Sequence, residues 1–166
     1  MSTKKSTVKK LRLTAAVEEG PYYKTGSPER RSIVETGTAG SRLILEGRVM
    51  DTAGKPIPHA WLDFWHADGH GRYDNVGFNL RGHQYADKDG QYHLETVRPY
   101  EYQMRAAHVH VKVRATPKSP VLTSQLFFPG EAKNATDPLF EKLTVMNVQD
   151  IAGGQQAAFY FVVETE

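Results

Sequence analysis

The sequence predicts an all-β fold: a single domain in which two sheets pack as a β-sandwich, with irregular loops and little helix. Short apolar or alternating stretches recur along the chain, and clusters of Gly, Pro, Asn and Asp separate them. No helical period of convincing length and no internal repeat is visible. With 166 residues the chain can bury one core, so we expect one folded domain over residues 18–166.

Seven stretches have the composition of β-strands. In chain order they are 42–50, 60–66, 91–97, 107–115, 121–128, 143–148 and 157–164. The stretch 60–66 is aromatic and breaks into a Gly-rich turn. Residues 107–113 alternate strictly between apolar and polar side chains, which gives the strand one apolar face. Residues 137–142 are expected to form a single helical turn.

The N-terminal segment, residues 1–17, is basic. It has five lysines and arginines and no acidic residue before Glu18. We expect a flexible tail there and, because it has neither an apolar signal core nor a membrane span, a cytoplasmic protein with no membrane partner. No basic helix with interleaved aromatic residues accompanies it, so no nucleic-acid partner is expected. The chain has no cysteine, which leaves His, Tyr, Asp and Glu as its metal-ligand repertoire.

The run His108-Val109-His110 is the first sign of chemistry. On a strand, side chains at i and i+2 point to one face, so both imidazoles can share a metal ion. The same alternation also fits an ordinary polar face, since Lys112 has the same parity as the histidines. Two tyrosines in turn regions, Tyr73 and Tyr102, would complete a site of two tyrosines and two histidines.

The order of further motifs around these four residues is specific. They are Gly20-Pro21-Tyr22-Tyr23, Gly47-Arg48-Val49, Trp65-His66-Ala67, Arg81-Gly82 and Leu122-Thr123-Ser124-Gln125. This pattern closely resembles the intradiol ring-cleavage dioxygenases, the family of catechol 1,2-dioxygenase and protocatechuate 3,4-dioxygenase. The resemblance runs from about residue 20 to about residue 130, and the chain looks like a small stand-alone member.

The resemblance implies a non-haem Fe(III) site. Its ligands would be Tyr73, Tyr102, His108 and His110. Phenolate is a hard anionic donor that suits Fe(III) better than Fe(II), whereas Fe(II) oxygenases usually show two histidines and a carboxylate. The fold would thus place its irregular loops around a metal site.

Three residues are implied to be catalytic. Tyr102 would leave the metal and take a substrate proton, and Arg105 would stabilise the electron-rich ring. Gln125 would orient the arginine or the ring, although an ordinary strand residue fits its position equally well. Tyr22, Tyr23 and Trp65 are expected to line the substrate pocket, unless they pack in the core as strand aromatics often do.

The implied activity is cleavage of a catechol with O2 between its two hydroxyl-bearing carbons, which gives a cis,cis-muconate-type diacid. The sequence leaves open which catechol is used. Only five residues, 103–107, separate Tyr102 from His108, where better-known members have a longer loop, so we expect a more open mouth. Strand parity would aim Arg105 away from the histidines, so residues 105–107 must turn or bulge.

Two other functions stay open. The run 47–58 also resembles transthyretin-like and carboxypeptidase-regulatory-like binding modules, which are not enzymes. In the second alternative the protein is a hydrolase whose metal is zinc with a bound hydrolytic water, although two tyrosinates fit zinc less well. In each case the exposed edges of a sandwich favour self-association, with a stoichiometry that the sequence does not give.

Overall fold

The structure, a computed structural model, describes residues 9–166. Within these residues nine strands form two sheets that pack face to face. The strands are β1 (Arg42–Met50), β2 (Trp61–Trp65), β3 (Arg81–Tyr85), β4 (Gln91–Val97), β5 (His108–Arg114), β6 (Leu122–Phe127), β7 (Asn147–Ile151), β8 (Gly154–Ala158) and β9 (Phe161–Val162). The prediction of an all-β sandwich is therefore confirmed.

The two sheets differ in their pairing. The larger sheet has the order β4-β1-β8-β7, with β9 pairing the end of β1, and both β8 and β9 run parallel to β1. The smaller sheet has the order β3-β2-β5-β6 and is antiparallel throughout. Two short 3-10 turns, η1 (Ala132–Ala135) and η2 (Lys142–Thr144), follow β6. In the part of the chain that the structure describes, no helix has the length and apolar character that a membrane crossing needs.

The sequence predictions for four elements were wrong in detail. Strand β3 was missed because Arg-Gly-His-Gln-Tyr has no apolar alternation. The stretch 143–148 is mostly not a strand, since η2 occupies 142–144 and β7 begins only at Asn147. The stretch 157–164 is divided between the end of β8 and β9. The helical turn expected at 137–142 is a simple turn closed by Phe140 N–H donating to the Asp137 carbonyl at 3.1 Å, and the 3-10 turns lie on either side of it.

The core lies between the sheets, and β5 shows how the alternating sequence positions it. Val109, Val111 and Val113 are fully buried and pack with the apolar residues of β1 and β2. A fully buried side chain of this size contributes roughly 1.5–3 kcal/mol relative to an exposed one. Because the valines face the core, the histidines of β5 point to the opposite face of the smaller sheet.

That opposite face is covered by the chain that precedes β1. Tyr23 and Ser27 both donate hydrogen bonds at 2.8 Å to the carboxylate of Asp63, which projects from β2. Gln125 Nε2 donates to the Glu18 carbonyl at 2.8 Å. Residues 18–30 therefore form a layer over the smaller sheet, and this layer buries side chains that would otherwise face water.

Residues 9–17, which the sequence assigns to a flexible tail, are hydrogen-bonded to the domain in this structure. Leu11 N–H donates to Thr52 O at 2.7 Å and Thr14 N–H to Val162 O at 3.0 Å. Val17 N–H donates to Thr123 O at 3.0 Å. Residues 1–8 lie outside the described residues, and the boundary at residue 18 stays a prediction.

His66 links the two sheets from the end of β2. Its Nδ1–H donates to the Ala67 carbonyl at 2.6 Å, and its Nε2 accepts from the Thr96 hydroxyl of β4 at 2.6 Å. The ring is 1% exposed. This burial lowers the pKa of His66 to about 4, against the opposing effect of its hydrogen bond to the Ala67 carbonyl. His66 is therefore neutral at pH 7.

We expect the stability of the protein to fall between pH 6.5 and pH 4, in part because of His66. In the unfolded chain this imidazole takes up a proton near pH 6.5, whereas in the folded protein it stays neutral until about pH 4. The unfolded state thus binds more protons in this window, which lowers the free energy of unfolding by up to about 3 kcal/mol at its acid end. Urea unfolding of wild type and His66→Gln from pH 7.5 to 4.5 checks this, and the variant should have the shallower slope. His70→Gln, at an exposed position, is the control; a wild-type slope in His66→Gln would contradict the assignment.

Candidate metal centre

The site is laid out along one row of the smaller sheet. In the strand register Arg81 of β3 is opposite Trp65 of β2, Trp65 is opposite His110 of β5, and His110 is opposite Gln125 of β6. Each of the four strands thus contributes one side chain to the same row. His108 lies two residues before His110 on the same face of β5.

Three donor atoms converge above this row. The Nε2 atoms of His108 and His110 are 3.0 Å apart. The hydroxyl oxygen of Tyr73 lies 3.0 Å from His110 Nε2 and 3.4 Å from His108 Nε2. Separations near 3 Å are those of neighbouring ligands that share one ion, since each bond to the ion is about 2 Å long. We call Tyr73, His108 and His110 the ligand triangle.

Both imidazoles of the ligand triangle are held neutral. His108 Nδ1–H donates to the Ala106 carbonyl at 2.6 Å, which leaves Nε2 as the lone-pair nitrogen. Burial, reinforced by the Arg105 guanidinium, lowers the pKa of His108 to about 4. Burial also lowers the pKa of His110 well below its usual value. The His110 ring is parallel to the Trp65 indole, with centroids 4.8 Å apart, and this stacking fixes its plane.

Tyr73 reaches the triangle from a tight turn. The carboxylate of Asp68 accepts the backbone N–H groups of His70 and Arg72 at 2.8 and 3.0 Å. Gly71 has φ +77°, and a Cβ there would collide with the Glu101 carbonyl. Burial raises the pKa of the Tyr73 phenol above its usual range, against the opposing effect of Arg105. A bound cation is therefore needed to hold this side chain as a phenolate.

Tyr102 lies beside the triangle rather than within it. Its ring is edge-on to Tyr73, with centroids 5.6 Å apart. Its hydroxyl pairs with the hydroxyl of Tyr22 and accepts from Gln103 Nε2 at 3.2 Å. The bond to Tyr22 raises the pKa of Tyr102. The structure thus brings three of the four predicted ligands together and places the fourth next to them.

Tyr102 and Arg105 close one short turn. Tyr102 N–H donates to Arg105 O at 3.2 Å and Arg105 N–H to Tyr102 O at 2.8 Å, with Gln103 at φ +52°. Since β5 starts only at His108, the expectation that residues 105–107 leave the strand is confirmed. Arg105 can therefore share the histidine side of the sheet. Its Nη2 donates to Gln125 Oε1, so Gln125 holds the arginine.

The three residues predicted to line a substrate pocket differ in position. Tyr22 stacks on Tyr73, with ring centroids 4.5 Å apart, and contacts Tyr102. Trp65 is 1% exposed and lies behind His110. The Tyr23 ring packs at a tilt against Trp65, with ring centroids 4.7 Å apart, and its hydroxyl donates to Asp63. Tyr22 is thus the one of these three that touches two of the predicted ligands, and the pocket roles stay predictions.

Sequence reasoning assigned no role to two residues that organise the site. Arg81 is 2% exposed; its Nη1 donates to the Tyr22 carbonyl and its Nε to the Asp74 carbonyl at 3.0 Å, which ties together the segments that carry Tyr22 and Tyr73. Asp137 pairs with Arg105. Arg81 was visible within a family motif, whereas nothing in the local sequence of Asp137 indicates its partner.

The donor set fits a hard trivalent ion. Within residues 9–166 no group of three or more His, Cys, Asp and Glu side chains is placed to hold a metal ion. Inside that range the histidine pair therefore gains phenols rather than carboxylates as its neighbours. Phenolate oxygens together with neutral imidazoles are a donor set that suits Fe(III). Mg²⁺ and Ca²⁺ prefer sites made of oxygen ligands alone, and structural zinc sites commonly use thiolates.

Comparison with known proteins identifies relatives of this chain. A family model described as Dioxygenase matches residues 18–152. The chain is 32% identical over 149 residues to a catechol 1,2-dioxygenase of Pseudomonas sp. (strain EST1001), covering 74% of this chain and 49% of that protein. It is 30% identical over 161 residues to a hydroxyquinol 1,2-dioxygenase of Nocardioides simplex, covering 82% and 53%. The chain spans about half the length of these curated relatives.

Solved structures match over most of the chain. The dioxygenase domain of a dioxygenase carbohydrate-binding protein fusion from the cellulolytic bacterium Streptomyces sp. SirexAA-E is 44% identical, with a TM-score of 0.89, and the match covers 93% of this chain and 100% of that one. An intradiol ring-cleavage dioxygenase from Tetranychus urticae, with a TM-score of 0.85 at 22% identity over 93% of this chain and 95% of that one, shares the fold. The extent of the family match and the identity to these relatives show that this chain belongs to the intradiol ring-cleavage dioxygenase family.

Proposed function

We propose that the protein is an Fe(III)-dependent intradiol dioxygenase that uses O2 to cleave a catechol between its two hydroxyl-bearing carbons. The product would be a cis,cis-muconate-type diacid. The observation that carries the proposal is the ligand triangle with a second phenol, Tyr102, beside it. Neither a binding module nor a hydrolytic zinc site explains why two buried neutral imidazoles face two tyrosines.

Tyr73, Tyr102, His108 and His110 would hold the iron. Bound there, Fe(III) supplies Lewis acidity toward both catechol oxygens and a redox-active centre for the reaction with O2. The neutral imidazoles keep the site from accumulating positive charge, and the phenols lose their protons when the ion binds. Iron uptake should therefore release protons.

Tyr102 is the residue that we propose takes a substrate proton. A catechol must lose two protons to bind through both oxygens, so a base is needed beside the metal. The Tyr102 hydroxyl already pairs with the Tyr22 hydroxyl. Once protonated, Tyr102 would keep that partner, and Tyr22 would hold the phenol clear of the substrate.

Arg105 would stabilise the negative charge of the bound substrate. A guanidinium group carries a positive charge and presents its donors in a rigid planar fork. Nε and Nη2 are bonded to Asp137 and Gln125. Within residues 9–166 the remaining nitrogen, Nη1, donates to no protein acceptor. We propose that Nη1 faces the catechol ring, where a preorganised positive charge acts most strongly.

The expectation of an open mouth, with room for a substituted catechol, stays a prediction. Met104, on the turn between Tyr102 and Arg105, is 74% exposed, and Val76, three residues after Tyr73, is 97% exposed. These exposed apolar residues follow the two predicted phenolate ligands in sequence. The relatives named above act on catechol and on hydroxyquinol; for this chain the identity of the catechol, the cytoplasmic location and self-association stay predictions.

A visible absorption spectrum tests the proposal directly. Protein loaded with one equivalent of iron should be red because of charge transfer from tyrosinate to Fe(III), and anaerobic addition of catechol should shift the band. Admission of O2 should then yield a muconate-type product, measured by liquid chromatography. A colourless protein with stoichiometric iron would reject the proposal and favour a non-catalytic module.

A further inference from the structure

Asp137 lies in the loop between η1 and η2, and its side chain is fully buried, with 0% exposed. Its two carboxylate oxygens each accept from Arg105 Nε at 2.9 Å. The same carboxylate accepts from the backbone N–H of Ala106 at 2.9 Å and of Leu139 at 2.8 Å. One acidic side chain thus joins the 137–139 loop to the residues just before β5.

These contacts fix the plane of the Arg105 guanidinium. A guanidinium is a rigid planar fork, so two anchored nitrogens define the direction of the third. Asp137 holds Nε and Gln125 holds Nη2, while Gln125 is itself anchored to the Glu18 carbonyl at 2.8 Å. Protein acceptors therefore bind Nε and Nη2 of Arg105, and Nη1 remains for another acceptor.

The segment that carries Asp137 also braces the turn from outside. Lys133 Nζ donates to the Gln103 carbonyl at 2.6 Å and lies 3.3 Å from the Glu101 carboxylate. Asp137 N–H donates to the Lys133 carbonyl at 2.8 Å, so Lys133 and Asp137 belong to one hydrogen-bonded unit. This unit contacts the turn of Tyr102 and Arg105 at two points.

We propose that Asp137 is a positioning residue that acts through Arg105, holding the guanidinium so that Nη1 points at the substrate ring. This inference rests on the proposed function, because it assigns Asp137 to the same site. Asp137 is not itself catalytic: its oxygens are occupied by four hydrogen bonds to Arg105, Ala106 and Leu139. Its contribution is orientation, and a misplacement of about 1 Å at such a position can cost roughly 100-fold in rate.

A double-mutant cycle tests this role. The kcat and the anaerobic dissociation constant for catechol are measured for iron-loaded wild type, Asp137→Asn, Arg105→Ala and the double variant. Asparagine keeps the shape of the side chain, but it loses the charge and presents N–H groups to donors. We expect kcat of Asp137→Asn to fall roughly 10- to 100-fold, with catechol affinity and the visible band retained. In the Arg105→Ala background, Asp137→Asn should have no further effect on kcat, because the guanidinium through which Asp137 acts is absent.

The control is Glu141→Gln, on the same loop, whose carboxylate accepts from Leu143 N–H rather than from the site; it should keep wild-type kcat. Two outcomes would overturn the positioning role while the proposed function stands. One is a wild-type kcat in Asp137→Asn. The other is a double variant whose fold-loss in kcat equals the product of the losses in the two single variants. A colourless wild type that consumes no O2 would overturn both. If Asp137→Asn does not fold, Asp137→Ser enters the same cycle with the same criteria.

Discussion

Replacing Tyr73 with Phe is expected to remove most of the visible colour and the ring-cleaving activity together. The substitution deletes one oxygen from the ligand triangle and keeps the ring that stacks on Tyr22 at 4.5 Å. Tyr102 cannot make up for this loss, because it is itself one of the four proposed ligands and supplies no second oxygen. We expect kcat to fall roughly 1000-fold or more, which corresponds to about 4 kcal/mol of transition-state stabilisation.

Absorption spectra, iron content and product formation of the purified variant measure these effects. Because the ring stays, urea unfolding of the iron-free proteins should be nearly the same for Tyr73→Phe and wild type. Tyr85→Phe is the matched control, since Tyr85 is 47% exposed on β3 and far from the histidines in the register of the sheet. A fully coloured and active Tyr73→Phe protein would remove Tyr73 from the ligand set.

Replacing Arg105 with Ala should separate metal binding from turnover. None of the predicted ligands is changed, so the variant should bind iron, stay red and bind catechol. We expect kcat to fall roughly 100- to 1000-fold, the usual cost of removing a preorganised group that stabilises developing charge. The variant should also be less stable by roughly 3 kcal/mol, because the buried carboxylate of Asp137 loses its partner.

Steady-state kinetics, anaerobic catechol titration and urea unfolding of the variant give the three readouts. Arg72→Ala is the matched control: Arg72 is exposed on the turn before Tyr73, and it is the backbone of this residue, not its guanidinium, that binds Asp68. Unchanged turnover in Arg105→Ala would remove this residue from the mechanism. A colourless variant would mean that Arg105 maintains the ligand triangle instead.

The parts of the molecule that could be predicted are those with a local signal. The alternation in 107–113 predicted which face of β5 packs into the core between the sheets, and Val109 and Val111 are in that core as expected. Strand β3 could not be predicted from its own residues. It forms because β2 offers a free edge and because Arg30 N–H and Pro28 O bond to the backbone of His83 on the other side.

The same contrast holds within the site. Tyr73, His108 and His110 were identified from motif order, and the fold brings their donor atoms within 3.4 Å of one another. Asp137 was missed because its partner, Arg105, is 32 residues away and both lie in irregular segments. No periodic pattern marks such a pair, and only the packing of two loops joins them.

The single alternating strand β5 serves two purposes at once, and this has a consequence for folding. Its valines form the core and its histidines form the metal centre, on opposite faces of the same seven residues. A slip of one residue in its pairing would turn the imidazoles into the core and the valines outward. A chain paired in that register would lose the burial of three valines and would therefore be much less stable than the native fold. Formation of the native core therefore also places the metal-site residues of β5 correctly, because any chain with the native core has its histidines on the opposite side of the sheet.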